Sequence, residues 1–270
     1  MKQHFFKFKF RPAFLIAIAF SLAAGSATAQ VTLPHKESFN YPPNTLLTSG
    51  SANWTANSGA GSNPVTINAG SLAYTGLPGI ADNRTSSSHG SGSREDVGLD
   101  FTPAPADGSS VFCSAIVQVT TATGAGDYHL HFGSAGAASS DFRARVFVKP
   151  GTAVNTFNLG IQFGSSGVTY DATDRPCGTP VFVVFSYDRV VGATNDTVRL
   201  WINPTLGLGT APAPNLTVAY ITGELTAPGR VSIRQGTGLT ATLETDELRI
   251  GLNWTDVAPN NAGIENWQKQ

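Results

Sequence analysis

Arg143-Ala144-Arg145-Val146-Phe147-Val148 holds the fold class in six residues. Side chains alternate along an extended chain, so Ala144, Val146 and Val148 share one face and Arg143, Arg145 and Phe147 the other. Upstream, Tyr128-His129-Leu130-His131-Phe132 repeats the pattern: 128, 130 and 132 point one way, His129 and His131 the other. Downstream, Asn158 and Gln162 oppose the four apolar residues of Phe157–Phe163, and Arg199 and Trp201 oppose Val198, Leu200 and Ile202. Strands with one apolar face build antiparallel sheets packed face to face.

The same texture extends outward. Strand candidates run over 111–119, 128–133, 143–149, 157–164, 181–188, 197–203, 218–222, 230–234 and 243–251, most of them separated by Gly-, Pro- or Asn-containing turns. Before them, Leu46-Leu47, Val65-Thr66-Ile67 and Leu72-Ala73-Tyr74 read as short strands between long loops. The polar run Asn83–Ser93 reads as an exposed loop. No amphipathic helix of useful length and no internal repeat is found. Many strands at near-regular spacing predict an all-β, two-sheet antiparallel sandwich.

Lys2, Lys7, Lys9 and Arg11 precede the short apolar run Ala13–Phe20 and a small-residue site, Ala27-Thr28-Ala29. That is the pattern of a cleavable secretory signal, and the run is shorter than the roughly 20 residues a bilayer span requires. The expected organisation is a signal peptide over 1–29, one β-sandwich domain over 30–258 and a tail over 259–270. The expected location is outside the cell. Without the four basic residues of the signal, 13 Lys and Arg face 18 Asp and Glu. An acidic mature chain argues against nucleic acid as a partner, and no later stretch has the length of a membrane span.

Asp246-Glu247-Leu248-Arg249-Ile250-Gly251-Leu252-Asn253-Trp254-Thr255-Asp256-Val257 resembles the closing strand of secreted bacterial jelly-roll proteins of the concanavalin A-like, laminin-G-like type. Glu37-Ser38-Phe39-Asn40-Tyr41 is similar to their opening strand, and Asp196–Pro204 to an internal one. The resemblance implies a concanavalin A-like jelly roll and non-catalytic binding of a polysaccharide or cell-surface glycan. An adhesive or structural role without a small ligand is the alternative. It also implies a structural Ca²⁺ held between Glu37 and Asp246, and hard carboxylate oxygens suit that ion.

A third alternative is glycan cleavage. Related glucanases use E-x-D-x-E on one strand face, and hydrolysis needs two carboxyl groups flanking one bond. The nearest stretch, Glu244-Thr245-Asp246-Glu247, breaks the spacing. No G-x-S-x-G nucleophile motif occurs, and His129 and His131 lack further evident ligands for a metal. The five N-x-S/T sites, at Asn53, Asn83, Asn195, Asn215 and Asn253, matter only in a cell that glycosylates them. In an exported chain Cys113 and Cys177 read as one disulfide, with two buried thiols the alternative.

His129, His131, Arg143, Arg145, Asn158 and Gln162 all oppose the core face of their strands, as do Arg199 and Trp201. If the strands are neighbours, these residues form one polar patch with aromatic members. Two arginines sharing a face can hold carboxylate or sulfate groups through paired hydrogen bonds, so the expected glycan is acidic.

Overall fold

A computed structural model describes residues 1, 29–79, 81–136, 140–165, 167–220 and 222–260. The signal-peptide reading, apart from its ends, and nearly all of the 259–270 tail lie outside the described residues.

The chain opens with β1 (Gln30–Thr32) and β2 (His35–Glu37), then one helical turn, α1 (Leu47–Gly50). Next come β3 (Trp54–Ser58), β4 (Thr66–Ala69), β5 (Asn83–His89), β6 (Asp96–Thr102) and β7 (Ser110–Val119). The middle holds β8 (Thr123–Gly124), β9 (Asp127–Ser134), β10 (Arg143–Pro150), β11 (Thr156–Gln162), β12 (Thr169–Tyr170) and β13 (Arg175–Pro176). The last part holds β14 (Val181–Asp188), β15 (Thr197–Ile202), β16 (Leu216–Ala219), β17 (Pro228–Ile233), β18 (Leu239–Gly251) and a closing turn, α2 (Trp254–Val257).

Among the described residues two nine-stranded sheets result. The first runs β1-β6-β17-β9-β10-β11-β12, with β3 on β6 and β13 on β11; the second runs β16-β15-β14-β7-β18-β5-β4, with β2 and β8 on β18. Every pairing is antiparallel except β1 with β6. The core lies between the sheets. Leu130, Phe132, Val146, Val148, Leu159, Ile161, Val231 and Ile233 of the first sheet meet Val183, Phe185, Leu200, Leu243 and Ile250 of the second. The alternation read in the sequence therefore places the core, and the sandwich is the expected jelly roll.

A second apolar cluster covers the outer face of the second sheet. Phe112, Ile116, Phe182, Val184 and Trp201 are buried there against Leu72, Leu77, Trp254 and Val257. Asn253 caps α2: its side chain accepts from the Asp256 backbone, and the Asp256 carboxylate accepts from the Asn253 backbone.

Four expectations are corrected. Asn83–His89 is a strand inside the second sheet, paired with β4 and β18, and Thr85, Ser87 and His89 are buried. The Thr85 and Ser87 hydroxyls donate to the Thr245 and Leu243 carbonyls, so a polar composition hides a buried strand. Asp96–Thr102 is a further strand, Leu72–Tyr74 is none, and Leu46-Leu47, expected as a short strand, instead caps and opens the turn α1. Finally, Cys113 and Cys177 are both free thiols. The Gly178 amide bonds the Val119 carbonyl, and the six residues of β7 from Val119 to Cys113 span about 20 Å. A disulfide needs Cα atoms within about 7 Å.

Candidate functional site

The outer face of the first sheet is polar, cationic and aromatic. Opposite the core residues of β10 stand Arg145, Phe147 and Lys149, registered against Gln162, Gly160 and Asn158 of β11. Opposite Val231 and Ile233 stand Arg230, Ser232 and, just past the strand end, Arg234.

A bulge turns Tyr128 onto this face. Leu130 pairs with Val146 but Tyr128 with Phe147, so β9 spends two residues where β10 spends one. An inserted residue reverses the alternation beyond it. Tyr128, expected in the core, instead packs on Phe147, Phe142 and His131 with ring centroids at 5.4, 6.4 and 5.4 Å. His129, expected outside, turns between the sheets, with Nε2 2.8 Å from Thr245 Oγ1 and Nδ1 3.3 Å from His89 Nε2.

Two guanidiniums lie over the Tyr128 ring: Arg145 at 4.9 Å and Arg234 at 4.1 Å from its centroid. Cations are drawn to an aromatic face. The two differ in compensation. Arg234 pairs with Asp127 at 2.6 Å and approaches Asp96 at 3.8 Å. Among the described residues Arg145 donates to neutral acceptors, the Phe142 carbonyl and Gln162 Oε1, both at 3.2 Å. Burial, together with the charges of Arg143 and Arg234, pushes the Arg145 guanidinium below its ordinary pKa, against the opposing pull of Tyr128 and Asp127. An anion arriving here relieves that repulsion.

His131 lies behind them, its ring 4.4 Å from Phe142 and the residue 2% exposed. Burial lowers its pKa to about 3, so it is neutral. Its Nδ1 sits 3.3 Å from the Phe132 carbonyl, which only accepts, so the proton belongs on Nδ1 and Nε2 is left an acceptor.

The remaining sequence-predicted residues have other placements. Arg143 donates to the Gly223 and Phe142 carbonyls. Asn158 anchors a loop through the Thr173 carbonyl and Asp174. Arg199 and Trp201 belong to the second sheet: Arg199 pairs with Asp188 at 3.3 Å, and Trp201 is buried beside Phe112 and Trp254, its Nε1 donating to the Pro212 carbonyl. The structure thus brings together His131, Arg145 and Gln162, and separates Arg199 and Trp201 from them. Sequence reasoning missed Tyr128, Phe142 and Arg234. Arg230-Val231-Ser232-Ile233-Arg234 alternates clearly enough to have flagged Arg234; nothing marked the bulge.

A carboxylate cluster lies elsewhere. Oxygens of Asp82, Asp246 and Glu247 lie within 4.8 Å of one another. Glu247 is compensated by Arg249 at 2.6 Å and Lys36 at 2.9 Å. Asp82 Oδ2 is buried and makes no hydrogen bond among the described residues. Burial raises Asp246 to about 8, against backbone bonds from Leu72 and Glu247. This all-oxygen set with an orphaned carboxylate atom fits a hard cation. Glu37 uses its oxygens otherwise, accepting from the Phe39 amide, the Tyr41 hydroxyl and Trp54 Nε1.

Fold and face together define the class: a two-sheet jelly-roll sandwich with a cationic, aromatic outer face. Among solved structures the chain is similar to the cellulose-induced protein Cip1, with TM-score 0.48 and 15% identity over 81% of this chain and 97% of that one. It is also similar to endo-β-1,4-glucuronan lyase from Trichoderma reesei, with TM-score 0.46 and 11% identity over 80% and 97%. Alginate lyase from Alteromonas sp. 272 follows with TM-score 0.40 and 10% identity over 75% and 95%. Likenesses this distant bear on neither substrate nor reaction. No family model matches the sequence, and no curated protein matches it.

Proposed function

We propose that this is an exported, non-catalytic polysaccharide-binding protein, and that the outer face of its first sheet holds an acidic glycan. The observation that carries the reading is Arg145, a guanidinium 4.9 Å over Tyr128 whose hydrogen-bond partners among the described residues are neutral. A guanidinium presents a fork that matches a carboxylate or sulfate. Phe147, half-buried on the same face, gives apolar surface for sugar rings, while Tyr128 beneath the two guanidiniums and Gln162 against Arg145 hold the cation in place.

Binding is favoured over hydrolysis because the acids of this face are engaged. Asp100 pairs with Arg230, Asp127 with Arg234, and Asp96 accepts from the Gln235 amide. Glu244, on the other sheet, pairs with Arg84. Each of these four carboxyl groups already has a partner, so none of the four stands free to work as one of two across a bond.

The test is titration with a polyuronate, a sulfated glycan and a neutral glucan, using wild type and Arg145→Gln. The expected result is binding of an anionic glycan that Arg145→Gln weakens about tenfold, roughly one charge-assisted hydrogen bond. Equal affinity of both proteins for every anionic glycan overturns it. Export is checked separately by N-terminal sequencing of the protein from culture medium, with Gln30 expected first.

A further inference from the structure

Tyr170 has an unusual bed. A side chain at Gly160 would place its Cβ 2.6 Å from Tyr170 Cδ1, and one at Gly126 would place its Cβ 3.1 Å from the Tyr170 hydroxyl oxygen. Gly160 lies in β11 and Gly126 immediately before β9, so the phenol lies across the intervening strand, β10. It occupies room that two missing side chains leave. Phe147 meets it edge-on at 6.4 Å.

The Lys149 ammonium sits over this ring, 4.4 Å from its centroid. Among the described residues it has no carboxylate partner. Lys149 shares its face of β10 with Phe147 and Arg145, and the pairing with β11 is regular from Arg145 to Pro150. The two cations, neither paired with a carboxylate among the described residues, are thus four residues apart on one face of β10, about 14 Å, with Phe147 between them.

We propose that Lys149, shelved on Tyr170, is a second anion subsite, and that the ligand is an oligomer whose negative charges reach both Lys149 and Arg145. This rests on the reading of the face as an acidic-glycan site. A single sugar acid is too short to bridge the two cations, so the face selects for chain length as well as charge. Tyr170 acts by holding the ammonium in place: a lysine free to sweep solvent loses more side-chain entropy on binding than one already ordered.

The test is calorimetric titration with oligouronates from the monomer upward. The proteins are wild type, Lys149→Gln, Gly160→Val and Arg145→Gln, each first shown to keep the wild-type far-UV spectrum. Wild-type affinity is expected to step up once the oligomer bridges the two positions. Lys149→Gln removes that step, about tenfold, and leaves the shortest ligands unaffected. Gly160→Val, which displaces Tyr170 and keeps Lys149, reduces the step, whereas Arg145→Gln weakens binding at every length. A long-oligomer affinity unchanged by Lys149→Gln overturns the subsite while leaving the Arg145 site standing. Absence of binding by wild type at every length overturns both.

Discussion

His89 and His129 meet between the sheets, His89 Nε2 lying 3.3 Å from His129 Nδ1. The direction of this contact is set by a backbone group. The Gly236 amide donates to His89 Nδ1 at 3.0 Å, so the His89 proton must sit on Nε2 and point at His129. His129 then carries its proton on Nε2 and donates to Thr245 Oγ1 at 2.8 Å. The result is a one-way chain of neutral imidazoles linking β5 and β9 to the 234–238 turn, the turn that carries Arg234.

Protonation breaks this chain. Burial lowers both histidines from 6.5 to about 3, with the Arg234 charge second for His89 and the His89 charge second for His129. The unfolded chain therefore binds more protons between those values. The stability they contribute is complete above pH 6.5 and is lost as pH falls through 3. We expect urea midpoints to drop steadily from pH 6.5 to 4, by on the order of a few kcal/mol in unfolding free energy. His129→Leu should flatten that slope. A midpoint independent of pH in this window contradicts the neutral pair.

Trp201 should matter for stability and not for ligand. It is 1% exposed, packed on Phe112 at 6.0 Å and Trp254 at 5.2 Å, on the sheet away from Arg145. Trp201→Ala is expected to cost about 3–5 kcal/mol by denaturant unfolding. Glycan affinity of the folded fraction should be unchanged, and a selective loss of binding would place the ligand on the second sheet.

The thiols should titrate separately. Cys113 is fully buried and Cys177 partly exposed. Burial raises both thiol pKa values. A thiol reagent at mildly alkaline pH should label Cys177 in native protein, and Cys113 only after denaturation, with or without reductant. A need for reductant at either position would restore the disulfide.

Calcium should stabilise the protein through Asp246. This carboxyl is buried, with a pKa raised from 3.8 to about 8. Without a cation its contribution is greatest below pH 4 and is lost as pH rises through 8, because the buried group must ionise. A bound cation neutralises it, so Ca²⁺ should raise Tm most at pH 8–9 by mass action. Asp246→Asn should abolish the shift; an undiminished shift in that variant assigns the ion elsewhere.

Much of the sandwich was legible because burial imposes a period of two. Val146, Val148, Leu159, Ile161, Leu200 and Leu248 all lie in the core, as their spacing demands. What escaped has physical reasons. β5 is polar because its hydroxyls satisfy neighbouring carbonyls, so no hydrophobic signal reveals it. Tyr128 and His129 exchanged faces because a bulge adds one residue, and no side chain announces a bulge. Strand order is set by long-range pairing, so the sequence could not say that β10 sits beside β9 and β11 while β15 sits in the other sheet. That separation divides the predicted patch.

Leu239–Gly251 has a place in the timing of folding. This one strand pairs with β2, β5, β7 and β8. Until it emerges, a growing chain holds the edges of β7 and β5 bare, and bare edges recruit other strands. Here the keystone of the second sheet comes after every strand it joins.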